Sequence, residues 1–502
     1  MIPVYIRTCM FLVVCLHCVH GTELKEHQGY SESTASAGPP DLSSTDTGAL
    51  FLTPLIDNCS YYEARNRSKA PYFQMMANVT AHSGYITVNK TTGSNLFFLL
   101  TEVEGNSSEA PLLLWTQGGP GLSALFGQFL ENGPLAFGMH QNGSPHIYPR
   151  RNTLQKNMSV LYLDLPVGAG FSFTTNVTHG YPTKLEDIVQ HVLEFLKQFL
   201  KVFSEYEGRD FFLAGESYGA RYSIAVAEYL LKNPSHVSLR LQGIIGGNGF
   251  IGPVLHTADS SEFLYRASML TEEGYKTFAG QFQTMRTYFA QGNYTIPLGM
   301  LLRTIFADST KINPTLFQNL TLYNDHASPL YTERPLFMVA CFIFLNGSKE
   351  IREAIHVGEN AAFQYINEAL LYTFAFDWLR DIGPLTERVL NESRVLFYTG
   401  QLDALFPSVN QRAYFAMLNW TNAQAYRQAS RCTWKPYMKY YGNAGYVKKA
   451  SNFTEAVLLG MSHYGAVEKP DEVYYLMMEF VFENSSNVQQ VPGQCDVEQV
   501  SA

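Results

Sequence analysis

Apolar and polar positions change their period several times along the chain, and each change predicts an element. Short, nearly continuous apolar runs predict strands at residues 85–88, 96–101, 112–115, 159–163, 210–214, 241–246, 394–399 and 455–459. Apolar residues at helical spacing predict helices at 185–203 and 220–231. Because strands that alternate with helices build parallel sheets with helices on their faces, the pattern predicts an α/β fold with a mostly parallel central sheet.

The pattern changes again between about residues 250 and 382, where helical and irregular segments replace the strand-like runs. We interpret this segment as a mainly helical cap inserted into a catalytic domain that spans residues 50–488. Five aromatic residues of the insertion are candidates to line a substrate pocket, although packing within the cap is the favoured interpretation. They are Tyr288, Phe289, Phe337, Phe342 and Phe374.

Composition permits a large globular protein and excludes some partners. With 502 residues and 46% hydrophobic content, the chain can bury a large core, either as one domain with an insertion or as two domains. The net charge of -9 argues against nucleic acid as a partner, because nucleic acid binding needs a basic surface. The sequence has no zinc-type, Walker or EF-hand pattern, so no metal is predicted.

The N-terminal 21 residues have the pattern of a signal peptide, with a basic Arg7, an apolar stretch at 9–18 and small residues near a cleavage site. Residues 22–49 are rich in Ser, Thr, Gly and Pro, and we interpret them as a flexible linker or pro-segment. Residues 489–502 form a tail without a lipid-anchor or retention signal. No other apolar run reaches the length of a membrane span, so we expect a soluble product of the secretory pathway, extracellular or lysosomal.

Signals for asparagine-linked glycosylation favour the same compartment. Random order predicts about four N-x-S/T signals for this composition, whereas the chain has 15 without proline at the middle position. They lie at Asn58, Asn66, Asn78, Asn89, Asn106, Asn142, Asn157, Asn176, Asn293, Asn319, Asn346, Asn391, Asn419, Asn452 and Asn484. The excess predicts a heavily glycosylated surface.

Cysteine content is modest and compatible with an oxidising compartment. Three of the seven cysteines lie in the predicted signal peptide. The remaining four, Cys59, Cys341, Cys432 and Cys495, allow three pairings, and the sequence does not choose among them.

A G-x-S-x-G motif at residues 215–219 places Ser217 directly after a predicted strand and before a predicted helix. Such a turn is typical of a nucleophile elbow, in which the glycines leave room for a sharp bend and the serine hydroxyl is exposed for attack. Chance alone gives roughly 0.2 such matches in a chain of this composition. The flanking strand and helix favour a catalytic serine over the alternative, a Gly-rich turn without catalysis.

Partners of an elbow serine follow it in the order Asp or Glu, then His, on loops after later strands. Asp403 lies in the first loop after the predicted strand 394–399, and His463 lies just after the strand 455–459. In the predicted chemistry, His463 takes the proton of Ser217 during attack on a carbonyl, and Asp403 orients the imidazole. Taken alone, each residue also has a non-catalytic interpretation: His463 as a hydrogen-bonded loop histidine, and Asp403 as a turn residue that caps the next helix.

Six ordered blocks of the chain together resemble the serine carboxypeptidase family. They are residues 115–123 (WTQGGPGLS), 164–172 (DLPVGAGFS), 215–222 (GESYGARY), 246–253 (GGNGFIGP), 398–403 (YTGQLD) and the region of His463. Residues 50–56, residues 85–98 and Gln117, in place of a more usual asparagine, look most like the vitellogenic carboxypeptidase-like branch. The resemblance covers about residues 50–483 and implies an α/β-hydrolase fold.

The resemblance implies roles for residues that match the family's motifs. Ser217, Asp403 and His463 match the catalytic triad, and the backbone N–H groups of Gly119 and Tyr218 match the oxyanion hole. Recognition of a substrate's terminal carboxylate is implied for Gln117, Gly118, Glu131 and Glu216, and Tyr464 matches the pocket for the leaving residue.

Several positions depart from the family's usual residues without removing a proton-transfer group. The sequence Ser462-His463-Tyr464-Gly465-Ala466 stands where Gly-His-Met-Val-Pro is usual, so the preferred leaving residue is open. Arg221 replaces a usual lysine, Leu122 a frequent cysteine and Gly252 a common aspartate.

The resemblance implies a serine carboxypeptidase that removes a C-terminal residue through an acyl-enzyme, with no metal or organic cofactor. Two glutamates and a substrate carboxylate cannot all be ionised in one site, so acidic pH is expected to favour binding. The expected partners are peptides or proteins with a free C-terminus, and the family forms monomers and homodimers. Two alternatives are an acyltransferase on the same fold and a catalytically silent binding ectodomain.

Overall fold

The computed structural model describes residues 48–105, 108–306, 314–365, 367–483 and 493–495. The strands are β1 (Ala81–Asn89), β2 (Ser94–Thr101), β3 (Leu112–Thr116), β4 (Leu135–Met139), β5 (Pro145–Pro149), β6 (Ser159–Leu163), β7 (Phe173–Thr174), β8 (Asp210–Glu216), β9 (Arg240–Gly247), β10 (Arg394–Gly400), β11 (Arg431–Trp434), β12 (Gly445–Ala450) and β13 (Phe453–Leu458). The helices before the elbow are α1 (Thr53–Asp57), α2 (Tyr61–Arg67), α3 (Pro71–Ala77) and α4 (Leu185–Val202). The helix after it is α5 (Tyr218–Lys232).

A second group of helices lies between β9 and β10. These are α6 (Val254–Thr257), α7 (Ser261–Arg266), α8 (Glu272–Ala290), α9 (Thr295–Leu301), α10 (Leu316–Thr321), α11 (Leu336–Gly347), α12 (Lys349–Ala354), α13 (Glu368–Thr373), α14 (Ala375–Leu379) and α15 (Gly383–Glu392). The last helices are α16 (Ser408–Met417), α17 (Ala423–Gln428), α18 (Gly465–Glu468) and α19 (Pro470–Val481). The described part of the region predicted to be an inserted cap is thus helical or irregular, while the exact domain boundaries stay a prediction.

In the described part of the chain, eleven strands form one mixed sheet in the order β1-β2-β6-β3-β8-β9-β10-β13-β12-β11, with β7 paired to β2. The six central strands, β6 to β13 in this order, run parallel to their neighbours. The strands at both ends pair antiparallel. The prediction of a mostly parallel sheet flanked by helices is therefore confirmed.

The central strands are apolar runs because both faces of the sheet are covered. Every residue of β3 and β6 is buried. Alternate residues of β3 enter two different cores: Leu112 and Leu114 pack with the residues of α4 and α5, whereas Leu113 and Trp115 pack on the other face. This burial fixes the register of the sheet, and with it the positions of the loops at the strand ends.

The elements predicted from periodicity are present, and some unpredicted ones accompany them. The sequence interpretation missed the hairpins β4–β5 and β11–β12 and the helices α1 to α3. The predicted signal peptide, almost all of the linker and most of the tail lie outside the described residues.

One disulfide bond joins Cys432 to Cys495, which selects one of the three possible pairings. Among the described residues, Cys59 is exposed, Cys341 is buried, and neither forms a disulfide. Within the part of the chain that is described, no helix is both long and apolar enough to cross a membrane.

Candidate active site

Ser217 lies at the sharp bend between β8 and α5. Its φ of 54° and ψ of -121° lie outside the regions that L-residues usually occupy. The Ser217 N–H donates to the carbonyl of Gly247 (2.8 Å), and its own carbonyl accepts from the N–H of Phe250 (2.9 Å). This strained and tightly held backbone is the geometry of a nucleophile elbow.

Glycines surround the bend because other residues would not fit. A methyl group on Gly215 would overlap the backbone of Gly219. A methyl group on Gly118 would lie 2.6 Å from the Cβ atom of Ser217 and 2.9 Å from the N atom of Tyr218. The loop after β3 therefore approaches the elbow at backbone distance.

His463 and Asp403 form a hydrogen-bonded pair after β13 and β10. The Nδ1 atom of His463 lies 2.9 Å from Oδ2 of Asp403. The other carboxylate oxygen of Asp403 accepts from the N–H groups of Leu405 and Phe406, both at 2.9 Å. Burial lowers the pKa of His463, but the charge and hydrogen bond of Asp403, together with other carboxylates, outweigh it, so the net pKa is raised. The arrangement orients the imidazole and stabilises its protonated form.

A cavity of about 490 Å³ brings most of the predicted site residues together. Its lining includes Gln117, Gly118, Gly119, Glu216, Ser217, His463 and Tyr464. Asp403 is fully buried behind His463, and the Tyr218 side chain is buried in the core. Among the hydrogen bonds of the described residues, none joins the Ser217 hydroxyl to the imidazole, whereas His463 is hydrogen-bonded to Asp403.

Two buried carboxyl groups lie close together, and one of them belongs to Glu216, the residue before Ser217. Gln117 accepts from the indole N–H of Trp115 (3.1 Å) and donates to Oε2 of Glu216 (2.8 Å). Glu131, on the π-helical turn Gly127–Glu131, is 2% exposed and has its carboxyl group next to that of Glu216.

The two glutamates cannot both carry a charge at ordinary cost. Burial, and then the neighbouring charge of Glu216, raise the pKa of Glu131 well above its usual range. Burial also raises the pKa of Glu216, although hydrogen bonding from Glu131 opposes the rise. Within the described chain, both oxygens of Glu131 and Oε1 of Glu216 lack an N–H or O–H partner. A single proton on Glu131, donated to Glu216, leaves one negative charge on the pair and gives each carboxyl group a hydrogen-bond partner.

The cavity also contains residues that carry no motif signal. They include Leu302, Phe306, His326, Arg334, Met338, Leu371 and Trp378. Arg334 donates to the hydroxyl of Tyr464 (3.2 Å), and Tyr464 donates to the buried Asp325 (2.7 Å). Burial lowers the pKa of His326 to about 3. Of the five candidate aromatic residues in the insertion, Phe342 lines the cavity, whereas Phe374 packs against the Tyr218 ring.

Several departures from the family pattern have local structural partners. The N–H and hydroxyl groups of Ser462 both donate to Glu468, at 2.5 and 2.6 Å. Arg221 donates to the carbonyls of Asp377 and Arg380, so it ties the elbow helix to α14. The side chain of Tyr464 is fixed in the cavity wall by the contacts described above.

These features define the class: an α/β-hydrolase fold with a serine elbow and an adjacent Asp–His pair. The fold resembles that of Kex1Δp, a prohormone-processing carboxypeptidase of Saccharomyces cerevisiae, with a TM-score of 0.69 and 17% identity over 84% of this chain and 96% of that one. The predicted fold class is thereby confirmed.

The chain belongs to the serine carboxypeptidase family, whose model matches residues 71–483. It is 31% identical to the probable serine carboxypeptidase CPVL of Homo sapiens over 437 residues, covering 86% of this chain and 89% of the relative. It is 31% identical to the venom serine carboxypeptidase of Apis mellifera (88% and 92% covered) and 28% identical to the vitellogenic carboxypeptidase of Aedes aegypti (94% and 97% covered). The protein is therefore a serine-type carboxypeptidase, as the resemblance implied.

Proposed function

We propose that this carboxypeptidase cleaves the last peptide bond of its substrate through an acyl-enzyme on Ser217, with His463 as the base. His463 takes the hydroxyl proton as Ser217 attacks the carbonyl, then passes it to the leaving amine. Water regenerates the enzyme by the same route in reverse. The observation that carries the proposal is the 2.9 Å bond between His463 and Asp403 at the cavity that Ser217 also lines.

The N–H groups of Gly119 and Tyr218 are the proposed oxyanion hole. Tyr218 is the first residue of α5, where backbone N–H groups point away from the helix without intrahelical partners. Gly119 has a φ of 110° in the loop that packs against the elbow. Donors from these two positions would stabilise the oxygen that becomes negative in the tetrahedral intermediate.

Gln117, Gly118, Glu131 and Glu216 are the proposed site for the terminal carboxylate. A protonated carboxyl group can donate to that carboxylate, whereas two ionised glutamates would repel it. The raised pKa values of Glu131 and Glu216 support a site that keeps a proton at acidic pH. We therefore infer that binding of free C-termini weakens as pH rises through neutrality.

Mass spectrometry of two peptides tests the proposal. The two peptides have the same sequence, but one has a free C-terminus and the other is amidated. Each is incubated at about pH 5 with the wild type, with Ser217→Ala and with Ser223→Ala. Ser223 lies on α5, the helix that follows Ser217. Among the described contacts, its hydroxyl donates only to the carbonyl of Gly219, so Ser223→Ala is a matched control.

Stepwise trimming of the free peptide by the wild type and the control, with none by Ser217→Ala, is the expected result. Trimming of both peptides would overturn the proposed carboxylate site. Absence of trimming by folded protein whose Ser217 still reacts with a phosphonate would instead favour transfer of the acyl group to an acceptor other than water.

We also propose that the protein enters the secretory pathway. Each glycosylation-signal asparagine in the described residues is exposed or half-exposed, and none is buried. The Cys432–Cys495 disulfide fits an oxidising compartment. A mobility shift after glycosidase treatment of protein from animal cells is expected, and its absence would contradict the proposal.

A further inference from the structure

The segment from Gly247, the last residue of β9, to Phe250 is hydrogen-bonded to Ser217, to the β10 strand that leads to Asp403 and to the loop that carries His463. Gly247 accepts from the N–H of Ser217 (2.8 Å), and Phe250 donates to the carbonyl of Ser217 (2.9 Å). Between them, Asn248 donates its own N–H to the carbonyl of Tyr398 on β10 (2.8 Å). The segment 247–250 thus lies where the three catalytic loops converge.

The side chain of Asn248 joins the other two loops to each other. Its Oδ1 atom accepts from the N–H of Gly400, three residues before Asp403, at 2.7 Å. Its amide group donates to the carbonyls of Ser462 (3.1 Å) and His463 (3.2 Å). The Asn248 side chain therefore accepts a hydrogen bond from the loop that carries Asp403 and donates hydrogen bonds to the loop that carries His463.

The site is built for this residue. Asn248 is 0% exposed and has a φ of 45°, a left-handed conformation that asparagine tolerates better than most residues. A methyl group on Gly400 would overlap the carbonyl of Met461, so the two loops already touch at backbone distance beside the amide. Asp and Gly would accept the same backbone, but neither offers an NH₂ group toward two carbonyls.

We propose that Asn248 is a positioning residue that keeps the Asp403 and His463 loops in reach of one another and of Ser217. Its side-chain hydrogen bonds in the described structure go to backbone groups of those loops and not to Ser217 Oγ or the imidazole ring, so it acts through the backbone. The inference rests on the proposed function, because it assigns the reacting groups to Ser217 and His463. Misplacement of a base by about 1 Å can cost roughly 10²-fold in rate.

Asn248→Gly tests the inference, since it retains the backbone conformation and removes both sets of side-chain bonds. The rate at which a phosphonate labels Ser217 and the kcat and KM for a free peptide are measured, with active sites counted by final labelling. We expect the labelling rate and kcat to fall about 10²-fold while KM stays within about twofold. The acid limb of the pH profile should move to lower pH, because a looser Asp403 contact leaves burial to lower the pKa of His463.

Asn248→Asp is the second variant, because its carboxyl group retains the acceptor for Gly400. At neutral pH an ionised carboxylate would face two carbonyls, whereas at acidic pH its O–H can donate to one of them. The rate of Asn248→Asp relative to the wild type should therefore be higher at pH 5 than at pH 7. Asn410→Asp is the matched control, since the Asn410 amide also donates to carbonyls, those of His256, Thr257 and Asp259 (2.9 Å), and none of these belongs to the loops of Ser217, Asp403 or His463.

The outcomes separate the two ideas. If Asn248→Gly had the wild-type kcat per labelled active site and the wild-type pH profile, the positioning role would be overturned, even if the variant were less stable. An equal loss in Asn410→Asp would also overturn it. Failure of the wild type itself to react at Ser217 would instead contradict the proposed function.

Discussion

Gly465 packs directly against the carboxyl group of Glu216. A methyl group at the α-carbon of Gly465 would overlap Oε1 of Glu216, and the φ of Gly465 is 40°. A residue two positions after His463 thus forms part of the wall around the buried carboxyl pair. The family's usual valine at this position would not fit the arrangement seen here.

Gly465→Ala is expected to displace Glu216 and to raise the KM for free C-termini by about tenfold or more, because the substrate carboxylate loses a placed partner. Steady-state kinetics on a free peptide measure the effect. Gly442→Ala is the matched control, since Gly442 also has a positive φ, 75°, but would meet no atom within 4 Å. Similar KM values for the two variants would contradict the prediction.

Glu131→Gln is expected to remove the pH dependence of substrate binding. In the wild type, the pKa of Glu131 is raised, so the group donates a hydrogen bond to Glu216 at acidic pH. As pH rises through that pKa, Glu131 becomes a second anion beside Glu216, which repels the substrate carboxylate. An amide donates at every pH, so the KM for a free peptide should stay flat between about pH 5 and 8 in the variant. A KM that rises with pH as steeply in Glu131→Gln as in the wild type would show that another group controls binding.

Asp403→Asn should lower kcat by about 10³–10⁴-fold, the loss expected when the orienting carboxylate of a triad becomes an amide. Activity requires the neutral imidazole, and Asp403 raises the pKa of His463. Without that charge, burial lowers the pKa, so the acid limb of kcat/KM should move to lower pH. Asp210→Asn, at the start of β8 and paired with Arg240, is the control, and an unmoved limb in Asp403→Asn would refute the assignment.

The raised pKa of Asp164 should make the folded protein less stable as pH rises. Burial raises its pKa to about 7, against about 3.9 in an unfolded chain, despite hydrogen bonds from Ser123 and the N–H groups of Ala124 and Phe171. Between these values the folded state binds more protons than the unfolded state, so the free energy of unfolding decreases as pH rises. The contribution is about 2 kcal/mol between pH 5 and 7.

Chemical denaturation of the wild type and Asp164→Asn at pH 5, 6 and 7 measures this contribution. The wild type should lose about 2 kcal/mol more than the variant over that range, because the amide does not titrate. Equal pH dependence of the two unfolding free energies would contradict the prediction.

The local parts of the site could be predicted from the sequence. The elbow at Ser217 follows from a G-x-S-x-G motif between a strand and a helix, and both patterns depend only on neighbouring residues. Asp403 and His463 are predicted from their order after Ser217 and from their positions at the ends of apolar runs. The structure places each after one of two neighbouring parallel strands, β10 and β13, and their side chains are hydrogen-bonded there.

Other parts depend on contacts that no local pattern records. Asn248 lies in the motif block 246–253 (GGNGFIGP), but its hydrogen-bond partners on the loops of Gly400 and His463 are more than 150 positions away. Arg334 and His326 reach the cavity from an irregular segment without periodicity. The hairpin β11–β12 was missed because its strands are short and carry Arg and Lys, which obscure the apolar alternation.

The distance along the chain between Ser217 and His463 also determines when the proposed triad can first form during synthesis. Ser217 and His463 lie 246 positions apart, since β8 precedes the helical insertion in the sequence and β13 follows it. At roughly 5–20 residues per second, a ribosome needs on the order of 10–50 s to travel from the serine to the histidine. A nascent chain therefore lacks His463, the proposed base, until β13 has been made, and the order of translation itself delays the proposed activity.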